Sequence, residues 1–536
     1  MKAAEAIIQC LQRENVKMVF GYPGVPVAPL YEALRNSDIK HILVRHEQAA
    51  GHSASGYARV KRTIGVCIAT SGPGAINLIT GIATAYMDSI PMVAITGQVR
   101  TDLIGKDVFQ EADIIGATES FTKHSYLVKD AKDIPRIMKE AFYIAKTGRP
   151  GPVLVDIPLD IQNTEMEFEY PNVINIRGYK PTVNGHKGQI KRALERIKNS
   201  KKPLICVGGG VMSANAEVEL IEFIEKSKIP MVHTLMGKDG LISKYPYNVG
   251  LIGSHGFKYA NKAIAEADVL ILVGTRIADR ATGGSKSFGK MADIIHIDID
   301  PAEIGKNLSA HIPVVGDCKK ILQQLTVGIT EIDTKMWLEE INIWKEKFAK
   351  DRPNNEKVNP KYTLELLSEM IEEDSIITAD VGQNQIWTSH YLDMKCNRRF
   401  LTSGGLGTMG YSIPAAVGCK LAFPNRRVVA VMGDGSFQMS MFELGTITQN
   451  HLNIIILLFN NSNLGMVREY QSDVYKNTYG VSLSNNPDFV KLVEAYGLSG
   501  KKVSTNSELK GAIEQAMASN KTFLIECIVD EEESTL

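Results

Sequence analysis

Two polar turns near the end of the chain carry side chains that could bind a metal ion. Residues 433–435 (Gly-Asp-Gly) follow one apolar run, and Asn460-Asn461 follows the next apolar run along the chain. Short apolar runs rich in β-branched residues are typical of buried parallel strands, and open parallel sheets bind ligands at the carboxyl ends of their strands. A carboxylate and an amide oxygen suit a hard cation that also accepts phosphate oxygens. The pattern therefore predicts a Mg²⁺ and diphosphate site with Asp434 and Asn461 as metal ligands.

The same turns have a purely structural interpretation. Gly, Asp and Asn dominate tight turns because of their backbone preferences, so neither turn needs a ligand to explain it. Taken alone, the two turns leave both interpretations open. Their spacing, with a helix-like segment between them, favours the metal site only through the family resemblance described below.

A second candidate for chemistry lies near the N-terminus. Glu47 follows Arg45-His46 at a junction where a predicted strand runs into a helix rich in Ala, Gly and Ser. A negative charge at the positive end of a helix stabilises it by a few tenths of a kcal/mol to about one, which is a sufficient structural role for a glutamate here. The alternative role is acid–base catalysis. By itself, the position of Glu47 favours the structural role.

The elements that must hold these residues alternate between strand and helix. Residues 64–86 run through a strand, a Gly-rich turn and a helix that opens at Ala75, and similar units start at 203, 268 and 428. Such alternation predicts stacked βαβ units and an α/β fold. Because a domain usually has ~100 to 200 residues, the chain should form about three.

The domain boundaries are predicted where the alternation lapses. Polar residues with Pro and Gly are frequent near 165–185 and 348–360, which is typical of linkers. The chain therefore divides into blocks 1–165, 185–345 and 355–536.

Composition narrows the class of function. The chain has 60 Lys plus Arg and 60 Asp plus Glu, with no long basic run, so nucleic acid is not an expected partner. Its N-terminus is typical of an amphipathic helix, and no apolar stretch reaches membrane-spanning length, so we expect a soluble, cytoplasmic protein and no membrane. The seven cysteines lack CxxC or His spacing for zinc and are expected to be buried thiols. Small-molecule chemistry is the favoured class.

The order of motifs along the chain resembles the thiamine-diphosphate enzymes. The Gly-Asp-Gly turn, the helix after it and the Asn-Asn strand end are similar to the diphosphate signature of that family. Residues 45–48, 69–74 and 91–98 resemble its pyrimidine-binding domain. Within the family, the chain resembles the acetohydroxyacid synthase (acetolactate synthase) large subunits over essentially all three blocks.

The resemblance implies three doubly wound parallel-sheet domains: pyrimidine-binding at 1–165, central FAD-binding and Rossmann-like at 185–345, and diphosphate-binding at 355–536. It implies that Glu47 hydrogen-bonds N1′ of the aminopyrimidine, so that the 4′-nitrogen can remove the C2 proton of the thiazolium. Phe109 and Gln110 would shape the substrate pocket.

The resemblance also implies how the third block holds thiamine diphosphate. Met409 would wedge between the two rings of the cofactor, although a lone Met is more often core filling. The Gly407 carbonyl would accept a hydrogen bond from the 4′-amino group, and the Asn463 carbonyl would complete the metal shell. The other implied contacts are Gly382, Gln383, Asn384, Gly433, Gly435, Ser436, Leu464, Gly465 and Met466.

The middle block would hold FAD, which in the resembling enzymes takes no part in the net reaction. A Gly-rich turn after a strand is consistent with a pyrophosphate cradle, and an acidic strand end with ribose recognition. A Rossmann-like domain that binds nothing is the open alternative, and His255 could equally be a satisfied core histidine. The implied flavin contacts are Arg149, Gly208, Gly209, Thr234, Leu235, Gly253, His255, Gly274, Arg276, Asp279, Arg280, Asp298, Ile299 and Asp317.

The chain departs from the family in the pocket for the second substrate. Leu159 stands where the family usually has Lys, Asp102 where it has Arg, and Tyr470 where it has Trp, with Arg468 nearby. Pocket changes of this kind shift discrimination between substrates by about 1–3 kcal/mol. The preference for 2-oxobutyrate over pyruvate is therefore open. The chain also stops short of the tail that many relatives fold over the active site, so either water is excluded less well or the tail is missing from this sequence.

The activity implied by the resemblance is acetolactate synthesis for branched-chain amino acids, with thiamine diphosphate, Mg²⁺ and FAD as cofactors. Pyruvate would lose CO₂, and the remaining two-carbon unit would join a second 2-oxoacid, pyruvate or 2-oxobutyrate. A homodimer or homotetramer is implied, with Glu47 of one chain serving Asp434 and Asn461 of another, and a small regulatory subunit is a further candidate partner. One alternative is a related 2-oxoacid decarboxylase, or a carboligase with a different acceptor. The other is a non-catalytic homologue, against which the intact Glu47, Asp434 and Asn461 argue.

Overall fold

A computed structural model describes residues 1–284, 287–348 and 357–535. They form an α/β fold with three six-stranded parallel sheets, one in each block. The proposed boundary at 355 and the last residue, 536, lie outside the described residues. The exact domain boundaries stay a prediction.

In the sheet of the first block, strand β1 lies inside the sheet and has a neighbour on each side. The strands are β1 (Met18–Gly21), β2 (Lys40–Leu43), β3 (Gly65–Ala69), β4 (Met92–Gln98), β5 (His124–Leu127) and β6 (Pro152–Pro158). Their order is β2-β1-β3-β4-β6-β5, so the chain direction across the sheet reverses between β1 and β3. Ligands of open parallel sheets bind at such a switch point, outside the carboxyl ends of the strands.

The third sheet repeats this topology. Its strands are β13 (Ile376–Ala379), β14 (Arg399–Thr402), β15 (Val428–Gly433), β16 (Ile455–Asn460), β17 (Ser499–Val503) and β18 (Phe523–Ile528). Their order, β14-β13-β15-β16-β18-β17, places the switch point between β13 and β15. The loops after these two strands are the segments predicted to meet the diphosphate.

The middle sheet has a different order. Its strands are β7 (Pro203–Val207), β8 (Met231–His233), β9 (Asn248–Leu251), β10 (Val269–Val273), β11 (Asp293–Asp298) and β12 (Ile312–Val315). They lie in the order β12-β11-β10-β7-β8-β9. Counted from the first strand of this sheet, that is the order 6-5-4-1-2-3 of dinucleotide-binding folds, with the switch point between β7 and β10.

Helices cover the faces of the three sheets. In the first block they are α1 (Ala3–Arg13), α2 (Ala28–Arg35), α3 (Glu47–Lys61), α4 (Pro73–Met87), α5 (Ile114–Thr118), α6 (Ile134–Lys146) and α7 (Leu159–Asn163). In the middle block they are α8 (Lys187–Lys198), α9 (Gly209–Ser213), α10 (Glu217–Ser227), α11 (Lys258–Glu266), α12 (Asp279–Thr282), α13 (Cys318–Gly328) and α14 (Lys335–Lys347). In the third block they are α15 (Pro360–Met370), α16 (Gln383–Tyr391), α17 (Ser412–Ala422), α18 (Asp434–Gln438), α19 (Leu444–Gln449), α20 (Gly465–Tyr475), α21 (Phe489–Ala495) and α22 (Asn506–Ala518).

Each sheet is buried on both faces, which explains its continuous apolar strands. Along β3, Val66 and Ile68 belong to one apolar cluster, while Cys67 and Ala69 belong to the cluster on the other face. The helices leave the carboxyl edges of the sheets open to the loops. In the part of the chain that the structure describes, we find no helix with the length and apolarity needed to cross a membrane.

The first and third blocks meet through α3 and α17. The two helices approach closely because both carry small residues: Ser53 donates a hydrogen bond to the Pro414 carbonyl at 2.9 Å, and Gly56 faces the backbone of Ala415. The helix that begins at Glu47 is thereby fixed against the third block of the same chain.

Six of the seven cysteines are buried, and burial raises the pKa of Cys67 to about 12. Cys396 is exposed, so the expectation of buried thiols is wrong for this residue. It lies in the turn before β14, where the chain runs over the surface.

Candidate cofactor, metal and flavin sites

The predicted metal ligands lie at one edge of the third sheet. β15 pairs with both β13 and β16, so the residues after these three strands are neighbours. Asp434 is the first residue of α18, directly after β15, and Asn461 follows the end of β16. Gly433 and Gly435 flank Asp434, and Ser436 is the third residue of α18. Leu464, Gly465 and Met466 lie at the start of α20.

Asp434 is a buried carboxylate whose charge the fold disfavours. Burial raises its pKa to about 6, against the effect of a hydrogen bond from Asn486, whose Nδ2 lies 2.6 Å from Asp434 Oδ2. A nearby divalent cation would favour the ionised form. The carboxylate therefore fits a metal ligand.

The amide of Asn461 is held in one orientation. Its Nδ2 donates to Gln383 Oε1 at 2.8 Å, and its Oδ1 accepts from the backbone N–H of Asn463 at 3.1 Å. An amide oxygen has two lone pairs, so one is left for a cation. The loop at Asn463 is itself fixed by an antiparallel bridge to Ser482.

Gln383 joins several segments around the predicted diphosphate contacts. Besides accepting from Asn461, it donates through Nε2 to Glu469 Oε2 at 3.0 Å and to the Glu533 carbonyl at 2.8 Å. A side chain at Gly465 would overlap Gln383 Oε1 and lie 2.6 Å from Asn461 Nδ2. Only glycine at position 465 lets the backbone lie this close to the Gln383 and Asn461 side chains. The first turn of α16, with Gly382 before it and Asn384 in it, presents backbone N–H groups that fit phosphate oxygens.

The end of the chain also reaches this edge. Glu469 accepts hydrogen bonds from the Ser534 hydroxyl at 2.8 Å and from the Thr535 backbone at 3.1 Å. Trp387 donates to the Ser534 carbonyl at 3.0 Å. These contacts could not be predicted from the sequence, because no local motif marks them.

Met409 lies near the start of α18. A Cβ added at Gly435 would be 3.7 Å from Met409 Cε and 2.7 Å from Leu464 Cδ2, so these residues converge. The loop after Met409 is held by Asp380, which accepts from the backbone N–H groups of Gly410 at 2.9 Å and Ser412 at 2.8 Å. Gly407, two residues before Met409, is exposed.

Glu47 lies in the first block beside a turn with unpaired polar groups. Its carboxylate is buried and accepts from Asn77 Nδ2 at 3.0 Å. The hydroxyls of Thr70 and Ser71, in the turn after β3, are buried and have no hydrogen-bond partner among the described residues. Buried polar groups are normally paired. The turn therefore fits a polar ligand at the switch point of the first sheet.

Gln110 packs on the same turn, whereas Phe109 points away from the chain. A Cβ added at Gly72 would lie 2.9 Å from Gln110 Cα, and the Phe109 side chain is 88% exposed. The contacts described for Glu47 are with the first block, and those for Asp434 are with the third. In one chain, Glu47 and Asp434 thus lie in two groups of contacting residues, which are the two candidate partial sites.

The departures from the family lie on the surface or at its margin. Asp102 is exposed and forms an ion pair with Arg100 at 2.9 Å, and Tyr470 is 59% exposed on α20. Leu159 is the first residue of α7 and is half-buried.

The switch point of the middle sheet opens into a cavity of about 540 Å³. The loops after β7 and β10 line it, together with parts of the first and third blocks. The predicted residues in its lining are Arg149, Gly209, Thr234, Leu235, Gly274, Arg276, Arg280, Asp298, Ile299 and Asp317. Gly208, Gly253, His255 and Asp279 lie outside the lining.

Polar groups in this cavity fit a dinucleotide. Thr275 Oγ1 is buried without a hydrogen-bond partner among the described residues, and within the same residues Arg276 makes no ion pair. A Cβ at Gly210 would lie 2.7 Å from Gly274 Cα, so the two turns touch. Burial raises the pKa of Asp298 to about 6, and its Oδ1 accepts from the Asp300 backbone at 2.9 Å.

Arg149 is held by acidic residues in this cavity. It donates to Glu303 Oε1 at 3.1 Å and to the Ser89 hydroxyl at 2.9 Å.

The His255 backbone carbonyl lies 2.5 Å from His390 Nε2. This contact joins the loop at His255, in the middle block, to α16.

Comparison with known proteins shows which family the three blocks of the chain belong to. Models of the thiamine pyrophosphate enzymes match the chain in three parts: the N-terminal TPP binding domain at residues 1–117, the central domain at 190–325 and the C-terminal TPP binding domain at 380–527. The three sheets are therefore those of a thiamine pyrophosphate enzyme.

Relatives of known name are similar along the whole chain. A probable acetolactate synthase large subunit of Methanocaldococcus jannaschii is 46% identical over 100% of this chain and 93% of its own length. The acetolactate synthase large subunit of Buchnera aphidicola subsp. Schizaphis graminum is 45% identical over 98% of this chain and 94% of its own length. The isozyme 3 large subunit of Escherichia coli is 42% identical over 99% and 95%. The chain belongs to the family of acetolactate synthase large subunits.

Proposed function

We propose that this protein is an acetolactate synthase: it decarboxylates pyruvate and joins the remaining two-carbon unit to a second 2-oxoacid. The observation that carries the proposal is the pair of partial sites, Glu47 beside unpaired buried hydroxyls and Asp434 beside Asn461, in a chain 42–46% identical to acetolactate synthase large subunits. With pyruvate as second substrate, the product is 2-acetolactate.

Glu47 is proposed as the acid–base residue of the first site. When bound, thiamine diphosphate supplies the electron sink that decarboxylation requires. The Glu47 carboxylate would hold a proton against the pyrimidine ring nitrogen, and the hydroxyls of Thr70 and Ser71 could hydrogen-bond to polar groups of the cofactor or substrate. Asn77 orients the carboxylate from its other side.

Mg²⁺ is proposed to bind through the Asp434 carboxylate, the Asn461 amide oxygen and the Asn463 carbonyl. The described residues contain no group of three or more His, Cys, Asp or Glu that could hold a metal ion. One carboxylate and two neutral oxygens leave the charge of the ion poorly balanced, so phosphate oxygens should supply the rest. Binding of Mg²⁺ and thiamine diphosphate should therefore be interdependent.

FAD is proposed to occupy the cavity of the middle block. The dinucleotide-type strand order, the touching turns at Gly210 and Gly274, and the Arg276 guanidinium in the lining support this ligand. Arg276 would neutralise the pyrophosphate, and the free oxygen of Asp298 would accept from a ribose hydroxyl.

A second copy of the chain is proposed to complete each site. Phe109 and Tyr470 are exposed, and α20 has no buried residue although it carries Val467, Val474 and Tyr475. Two copies related by a two-fold axis would cover such surfaces and bring Glu47 of one copy to Asp434 and Asn461 of the other. A homotetramer and a small regulatory subunit are further proposals, the latter because the relatives are named large subunits. A cytoplasmic location rests on the sequence alone.

The products formed from pyruvate test this function. The purified protein is incubated with pyruvate, thiamine diphosphate, Mg²⁺ and FAD, and 2-acetolactate, acetaldehyde and CO₂ are quantified. We expect 2-acetolactate, and none with the Glu47→Gln variant. Acetaldehyde as the sole organic product would identify a decarboxylase instead, and unchanged pyruvate with cofactor bound would identify a non-catalytic homologue.

A further inference from the structure

Glu443, in the third block, holds the backbone that leads into Glu47. It ends a short 3₁₀ turn, Met441–Glu443, just before α19, and its side chain is 0% exposed. Its Oε1 accepts from the backbone N–H of Arg45 at 2.7 Å and of His46 at 3.2 Å. These are the two residues immediately before Glu47. A single carboxylate thus fixes the junction between β2 and α3 from 398 residues away along the chain.

Other contacts hold the same junction and the carboxylate itself. The Thr446 hydroxyl donates to Glu443 Oε2 at 2.6 Å. The Arg45 guanidinium donates to the Gly445 carbonyl at 3.2 Å and to Gln449 Oε1 at 2.8 Å. Helix α19 and the turn before it therefore hold the residues that precede α3 through both backbone and side chain. These contacts of Glu443, Gly445 and Gln449 with Arg45 and His46 are called the clasp.

The clasp consists of hydrogen bonds, whereas contacts between packed helices are usually apolar. A buried carboxylate is unfavourable unless hydrogen bonds satisfy it, and charge-assisted hydrogen bonds are the stronger and more directional kind. Packing of α3 on α17 already joins the two blocks. The carboxylate adds something that apolar packing does not: it fixes the direction in which the backbone enters α3.

We propose that Glu443 is a positioning residue for Glu47. By holding residues 45 and 46 it sets where the Glu47 carboxylate lies relative to the pyrimidine ring. This inference rests on the proposed function of Glu47. Loss of the clasp should leave cofactor affinity intact, because the diphosphate and metal contacts lie elsewhere, but should slow activation of the cofactor.

The test measures exchange of the thiazolium C2 proton for deuterium in the enzyme loaded with thiamine diphosphate, Mg²⁺ and FAD, by acid quench and NMR. For Glu443→Ala we expect exchange and kcat to fall about 10- to 100-fold, because a catalytic group misplaced by 1 Å can lose about that factor. The affinity for thiamine diphosphate should not change. Glu443→Gln, which keeps an acceptor oxygen and the volume, should recover most of the exchange rate.

A double-mutant cycle separates positioning from general damage. In a Glu47→Gln background, adding Glu443→Ala should lower exchange no further, because the group that it positions is already lost. Glu219→Ala is the matched control: Glu219 is a buried glutamate of the middle block that pairs with Lys319. It should leave C2 exchange unchanged.

An unchanged exchange rate in Glu443→Ala, or an equal loss with and without Glu47, would overturn the inference. If Glu443→Ala does not fold, Glu443→Met, which keeps the length of the side chain but has no acceptor oxygen for the Arg45 and His46 N–H groups, replaces it, with slowed exchange in support and wild-type exchange against. Failure of the proposed function itself is distinguishable, since the wild-type protein would then show no accelerated exchange and no acetolactate.

Discussion

The surroundings of Asp434 and Asn461, the proposed metal ligands, hold both side chains in place. Asn486 donates a hydrogen bond to Asp434, and the backbone N–H of Asn463 donates one to the Asn461 amide oxygen. In the proposed site the single negative charge of Asp434 would leave the cation dependent on phosphate oxygens. We therefore expect the metal ion and the diphosphate to bind together, and each to bind weakly without the other.

Removal of the Asp434 charge tests that coupling. Asp434→Asn should weaken Mg²⁺-dependent binding of thiamine diphosphate by about tenfold or more, because metal affinity depends on the charge count of the ligands. Titration calorimetry with and without Mg²⁺ measures it. Asp488→Asn, which changes an exposed aspartate that caps α21 in the same block, is the control and should bind like the wild type. Equal affinity in both variants would remove Asp434 from the site.

Asp156 gives a prediction for stability against pH. It is buried between Thr96 and Gln98, and burial raises its pKa to about 7. A carboxyl whose pKa is higher in the folded than in the unfolded state binds more protons when the protein is folded. The stability that Asp156 contributes is therefore present at low pH, and it is lost as pH rises from the unfolded pKa of about 4 to the folded pKa of about 7. Compared with wild type, Asp156→Asn should therefore lose less stability between pH 5 and pH 8.

Denaturant unfolding at pH 5 and pH 8 measures this difference. The comparison of variant with wild type removes the contribution of other groups, such as His52 and His233, whose burial lowers their pKa to about 3. Parallel pH profiles for the two proteins would contradict the assignment.

The sequence identifies as candidates those residues whose signal is local. Asp434 and Asn461 stand in short motifs at strand ends, and Glu47 stands at a strand–helix junction. The roles of Glu443 and Asp380 were not predictable, because their partners lie 398 and 30 residues away in the chain. The unpaired hydroxyls of Thr70 and Ser71 became visible only with the packing around them.

At the scale of elements, the approach of α3 and α17 determines where Glu47 lies. The sequence predicted a helix of small residues after Glu47 but not the surface on which it packs, since that depends on a helix more than 350 residues later. Element ends were predicted to within a few residues: the helix expected to open at Ala75 begins at Pro73, because proline is well suited to the first turn.

Two glycine substitutions test this packing. Gly418→Ala, on α17, would place a Cβ 2.8 Å from Tyr57 N and against the Ser53 carbonyl, and should destabilise the protein by about 1–3 kcal/mol. Gly511→Ala is the matched control on α22, where a Cβ meets nothing within 4 Å. It should stabilise the protein by about 0.5–1 kcal/mol, as Ala does in an open helix. Chemical denaturation measures both, and equal effects would argue against the close approach.

At the scale of the whole molecule, length and strand–helix alternation predicted an α/β protein of about three domains. The three parallel sheets agree with that expectation. The sequence carried no signal for how the blocks meet, because that arrangement depends on side-chain contacts between distant segments such as Asp239 with Arg399. Because each proposed site takes residues from two copies of the chain, the proposed activity requires assembly.

Mixing two inactive variants tests the central claim most directly. Glu47→Gln and Asp434→Ala should each be inactive alone. If Glu47 of one chain acts with Asp434 of another, a heterodimer contains one site with both residues intact, and random exchange of an equal mixture should recover about a quarter of the wild-type activity. Acetolactate formation is measured after subunit exchange, with differently tagged chains to count heterodimers. Recovery in proportion to the heterodimers is the predicted result, whereas heterodimers that form without any acetolactate synthesis would contradict the account.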